Sequence, residues 1–188
     1  MNSHDLSVGV FIRGLTNLKL QLRKAEEHVA AGAGSEATLL GAPLARDDLA
    51  TEGGTASPYD LHAYTLAAHV HWAAEGAKLA IGQLLGTRPV PAASDATCFS
   101  DLYDRIDATI AHLEGIAAAE LDAAFDRPLV FENRRGSISS TGGRFLLAFA
   151  IPHFFYHVTT AYGIMRNQGV RLTMGDFLGN WGAAQPDH

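Results

Sequence analysis

The chain has 188 residues, 47% of them hydrophobic, enough for one well-packed domain over residues 1–188 and short for two. A formal charge of -6 without a basic run argues against nucleic acid or an anionic membrane surface as partner. The single cysteine, Cys98, excludes an internal disulfide framework and fits a reducing, cytoplasmic setting.

The opening MNSHDLSVGVFIRGL lacks the basic and apolar blocks of a signal peptide. Val8, Phe11, Leu15, Leu18, Leu22, Ala25 and Val29 then step by three and four residues with charged residues between them, which predicts a long amphipathic helix. A Gly/Ala/Ser-rich connection follows, long enough to suggest a crossover. Pro58 marks the start of a second helical run, which Gly86 ends. A proline-marked loop leads to a third helix with Leu102, Ile106, Ile110 and Leu113 on its buried stripe.

"RPLVFENRRGSISS" is not helical. Leu129–Phe131 and Ser137–Ser139 flank a turn-like Asn-Arg-Arg-Gly and read as a small β-hairpin. The fourth helix runs from about Gly143 to Gln168, with Gly169 as its stop and Pro152 as an internal kink or change of register. The most apolar window, Phe145–Met165, is broken by Pro152, two histidines and a Thr pair, so it reads as a buried helix, not a membrane span. Four helical runs, one hairpin and one core predict an all-α four-helix bundle with at least one crossover connection.

His153 and His157 are four residues apart, so a helix presents both rings on one face. That is the smallest metal chelate a helix supplies, and a third ligand must come from elsewhere. The second helix offers His62, His69 and His71. His71 has small neighbours, Ala67, Ala68 and Ala74, with Glu75 one turn on; His69 shares a bulkier stripe with Leu66 and Trp72. Periodicity leaves the choice open and leans toward His71. Glu75 can orient a ligand, act as a base or face solvent, with solvent the commoner outcome. Tyr156 is a weaker candidate for moving a proton. His4, His28, His112 and His188 read as surface residues, and Cys98 as an inert loop thiol. No phosphate-binding glycine loop, Ser-His-Asp set or C-x2-C pair occurs.

"FAIPHFFYHVTTAYGIMRNQGV", with "GDFLG" soon after it, resembles the C-terminal half of an uncharacterised bacterial family of the DinB/YfiT-like superfamily. The likeness extends to "SVGVFIRGLTNLKLQLRKAEEH" and "YDLHAYTLAAHVHWAAEGAKLA". It implies a four-helix bundle, often homodimeric, with a hairpin before the last helix. It also implies a divalent metal, nickel or zinc, on three histidines, which fall here on His71, His153 and His157. Relatives often carry asparagine at the place of His153. The implied activity is a metal-dependent thiol transferase or hydrolase acting on a small molecule with a low-molecular-weight thiol. The competing expectation is a non-catalytic dimeric bundle that binds a small molecule, with the histidines structural.

Overall fold

The computed structural model describes residues 2–44, 64–87, 89–133 and 136–180. The chain is mostly helical. A short α1 (Ser3–Leu6) leads into α2 (Val8–Ala30), then α3 (Glu36–Leu40), α4 (Leu66–Leu85), α5 (Phe99–Glu114) and α6 (Ala118–Phe125). An antiparallel hairpin follows, β1 (Pro128–Asn133) with β2 (Gly136–Thr141), pairing Val130 with Ser139 and Phe131 with Ile138. After α7 (Gly142–Phe145), a π-helical turn at Leu146–Ala150 runs into α8 (Ile151–Asn167), and α9 (Met174–Leu178) ends the described part.

The heptad-like stripe of α2 is buried as its spacing requires: Val8, Phe11, Leu15, Leu18, Leu22 and Ala25 are all fully covered. They pack against Leu66, Val70, Ala73 and Ala77 of α4, Leu102 and Ile106 of α5, and Phe154, Val158 and Ala161 of α8, in one core. Gly14 is the point of closest approach between α2 and α8. A side chain there would run into the Phe154 ring, which sits edge-on to Phe11 at 5.1 Å between centroids.

The helix directions follow from named contacts. Gly14 meets Phe154 and Gly169 meets His28, so α2 and α8 run the same way. Lys19 pairs with Asp107, and Tyr103 donates to Glu26, so α5 runs opposite to α2. On α4, Gly76 lies against His153 while His69 meets His157, so α4 is antiparallel to α8. Thus α4 and α5 are parallel, and the connection that must cross is the one between them.

Residues 86–98 make that crossing. The connection turns at Gly86 in the left-handed region, packs Pro89 onto Gly82, and sends the Ala92 N–H to Glu75 Oε2 at 3.2 Å. The sequence expectation put a crossover between the first two helices instead. There the described part is α3, whose Ser35 caps Thr38, and a single bridge between Pro43 and Thr65. The second helix also starts later than the Pro58 signal suggested. Tyr64 and Thr65 are not helical, and the Thr65 side chain caps the Ala68 N–H of α4. Pro58 and His62 lie outside the described residues.

The last two expected features hold with more detail. The hairpin falls on the predicted residues, and Gly169 has φ 90, as a helix stop needs. Pro152 has no N–H to give the carbonyl of Ala148, and the turn just before it widens to π geometry. At the C-terminal end, α9 is clasped by one polar row of α2. Arg13, Asn17 and Gln21 donate to the carbonyls of Leu178, Phe177 and Asp176, and Lys24 pairs with the Asp176 carboxylate at 2.5 Å. No helix among the described residues is long and apolar enough to cross a membrane.

Candidate functional site

The site is built where α4 and α8 face each other. His157 is almost fully buried, and its Nδ1 lies 3.0 Å from Nδ1 of His69, which is also fully buried. The half-buried His153 ring sits one turn before His157, with centroids 4.8 Å apart. Phe149, on the π turn, stacks on His153 at 5.5 Å and 17°. Gly76 leaves room for this ring: a Cβ there would come within 3.4 Å of His153 Nδ1.

Burial keeps these imidazoles neutral. Desolvation pushes His157 down to about 3, helped by the repulsion of a charge on His153, His69 or His71. Burial alone takes His69 down to about 4, and lowers His153 as well. A neutral imidazole has one donor and one acceptor nitrogen, so the His69–His157 contact uses one N–H and one lone pair. His69 Nε2 is then left buried with no hydrogen-bond partner among the described residues.

Two tyrosines flank the pair. Tyr64 stacks on His157 at 6.4 Å and meets His69 edge-on at 5.9 Å. Tyr156, 41% exposed, has its ring 5.2 Å from His157 and 6.0 Å from His69. Tyr64 was not among the candidates, because nothing in its spacing ties a residue before the helix start to α8.

His71 lies on the other flank of α4, about 200° around the helix from His69. It is buried, and its Nδ1 has no hydrogen-bond partner among the described residues. Its charged surroundings are Arg105, Glu75, Lys78 and Asp95; burial first, then Arg105, holds its pKa down. Glu75 is buried too, against the expectation of a solvent-facing residue. It pairs with Lys78 at 2.5 Å and Arg105 at 3.5 Å and accepts from Ala92 N–H. Burial raises its pKa, but Lys78, the Ala92 N–H and His71 outweigh that and leave it lowered. Glu75 therefore ties α4 to α5 and to the crossing loop, away from the His69–His157 pair. Of the surface histidines expected, His112 is exposed, His4 and His28 are half-buried, and His188 lies outside the described residues.

The structure thus brings His153, His157 and His69 together, with His71 on the other flank of α4 yet near enough to act electrostatically on His157. Ligand nitrogens about 2.0–2.1 Å from a tetrahedral ion stand about 3.3 Å apart, so the 3.0 Å His69–His157 spacing suits a shared ion nearly as well as a shared proton. The neutral donors fit a divalent metal in kind. Among the described residues, however, no group of three or more His, Cys, Asp or Glu is arranged to hold one.

Beyond His153 the cleft opens into a cavity of about 310 Å³ between α4, the crossing loop, β1 and the π turn. Trp72, Leu79, Phe131, Phe145 and Phe149 form its walls, and His153 closes one end.

A mostly helical chain with a hairpin before its last long helix, and a histidine pair across α4 and α8, defines a DinB-like protein. A solved structure supports this: the crystal structure of a DinB family member protein from Shewanella denitrificans is 28% identical, with a TM-score of 0.80, over 97% of this chain and 95% of that one. The chain belongs to the family described as "Domain of unknown function (DUF1993)", which matches residues 3–178. A search of curated proteins finds no match.

Proposed function

We propose that the chain is a four-helix bundle of the DinB kind whose α4–α8 cleft binds a divalent metal, nickel or zinc, beside a small-molecule pocket. The observation that carries this reading is the neutral, buried His69–His157 pair, with 3.0 Å between nitrogens and a free lone pair or N–H on His69 Nε2. His157 and His69 would hold the ion, with His153 as the third donor. His71, implied by family resemblance, faces Arg105 and Glu75 instead.

A metal bound there would act as a Lewis acid, lowering the pKa of a water or thiol at its open position. The chain's own contribution is to keep the imidazoles unprotonated at neutral pH, to exclude water from their apolar flank, and to orient a substrate against His153. Tyr156 is the residue placed to pass a proton to the solvent side, since its ring touches the pair and its edge is exposed. The activity we infer is a thiol transfer or a hydrolysis. The test is the metal content of protein purified without a metal-affinity tag, together with the thermal shift on adding nickel or zinc. Metal near one equivalent and a raised Tm support the reading. A metal-free protein whose Tm ignores both ions overturns it.

One observation favours a second reading. The His69–His157 contact already satisfies two ring nitrogens without an ion, as it would in a non-catalytic bundle with structural histidines. Leu147, Phe149 and Tyr156, exposed at 56%, 41% and 41%, would then lie at a homodimer interface.

A further inference from the structure

The cavity beside His153 has a lining that selects the chemistry of its occupant. We propose that it binds an uncharged aromatic small molecule of one or two fused rings, whose reactive edge meets His153. This rests on the reading of the α4–α8 cleft as the functional site, and it names the substrate class for that site.

Size comes first. An apolar cavity of about 150 Å³ holds one benzene, so about 310 Å³ admits a bicyclic ring but no large cofactor. Wall chemistry comes second. Trp72, Phe131, Phe145 and Phe149 supply flat faces, with Phe131 and Phe149 centroids 4.6 Å apart and Phe131 and Phe145 5.2 Å apart. Such surfaces favour an aromatic guest stacked or edge-on.

Charge comes third. No Asp, Glu, Lys or Arg lines the cavity among the described residues. The side-chain amide of Gln83 donates one N–H to the Val130 carbonyl at 2.9 Å, which pins β1 to α4 and leaves an uncharged polar group on the wall. In the metal-stripped protein a carboxylate or ammonium placed here would lose its hydration and meet no charged side chain among the described lining residues. Among the described residues His153 is the one titratable group on the wall, and it stands at the end nearest the His69–His157 pair.

Backbone comes fourth. Gly76 makes the junction between cavity and histidines, and Pro89 of the crossing loop packs on Gly82, so the loop forms one wall. The π turn carries Phe149 and Ala150 into the opposite wall, at a position where such turns often mark a binding site. The four features converge on one space.

The test is a titration of wild-type protein, stripped with EDTA and separately loaded with zinc, using 2-naphthol and 2-naphthoate as matched neutral and anionic probes. Saturable 2-naphthol binding is expected, with 2-naphthoate weaker by about tenfold or more in the stripped protein, where no metal offers a partner charge. Gly76→Leu should abolish binding by filling the junction, and Phe149→Ala, at a partly exposed position, should weaken it several-fold. Equal binding of the two probes to the stripped protein overturns the proposal. So does unchanged binding in Phe149→Ala, or a chain that dimerises through this cavity and takes up no probe. Naphthol binding to a protein that holds no metal would sink the metal reading alone. Metal binding without naphthol would sink this one alone.

Discussion

The Nδ1 atoms of His69 and His157 lie 3.0 Å apart across the α4–α8 interface, both rings buried and neither facing a counter-charge among the described residues. One hydrogen sits between them. Protonating the accepting nitrogen would bury a positive charge and break the shared hydrogen bond, and this fixes how the fold responds to acid.

The folded pKa values, about 4 for His69 and about 3 for His157, lie below the ordinary 6.5. The unfolded chain therefore binds more protons over this window, and stability is full above pH 6.5 and lost as pH falls toward 4 and 3. Each histidine held neutral costs on the order of 2 kcal/mol by pH 5. Metal-stripped protein should lose Tm steadily between pH 7 and pH 4.5, measured by circular dichroism. His157→Gln should flatten that slope. A wild-type Tm unchanged over this range would mean that the pair is not held neutral.

Gly14 allows α2 and α8 to touch. Gly14→Ala drives a methyl into the Phe154 ring, which is fully buried and cannot swing away. Overpacking of this kind costs about 1–3 kcal/mol, more than the gain in helix propensity returns. Urea unfolding should show a lower midpoint. Gly14→Ala with Phe154→Leu should recover part of the loss.

Glu75 ties three segments together, so its substitutions report on the crossing loop. Glu75→Ala leaves Lys78 and Arg105 facing each other and the Ala92 N–H without its acceptor. A loss of about 3–5 kcal/mol is expected, as for other broken buried pairs. Glu75→Gln keeps an acceptor for Ala92 and should lose less. Hydrogen exchange at residues 89–97 should rise in Glu75→Ala well before global unfolding. No change there would deny Glu75 its anchoring role.

Much of this was legible in the sequence, and the reason is local. The α2 stripe, the Gly86 and Gly169 stops, the hairpin residues and the Pro152 disturbance each follow from a few neighbouring side chains. The four-residue spacing of His153 and His157 likewise placed them on one face. What a single helix cannot show is which face its neighbour meets. His71 had the roomier flanking residues, but α4 turns its His69 side toward α8, where Gly76 lies against the His153 ring. Glu75 looked like a solvated charge for the same reason: Arg105 lies thirty residues on, and only the tertiary fold pairs them. The α2 row that clasps α9 spans more than 150 residues of chain and was equally out of reach.

The central claim is that the histidine pair across α4 and α8 is the metal-binding element, with His69 as the α4 donor. Metal content per folded chain, measured by mass spectrometry on untagged wild type, His69→Ala, His71→Ala, His153→Ala and His157→Ala, tests it most directly. The account predicts close to one nickel or zinc in wild type, loss in the His69, His153 and His157 variants, and retention in His71→Ala. Metal retained in His69→Ala and lost in His71→Ala would contradict it.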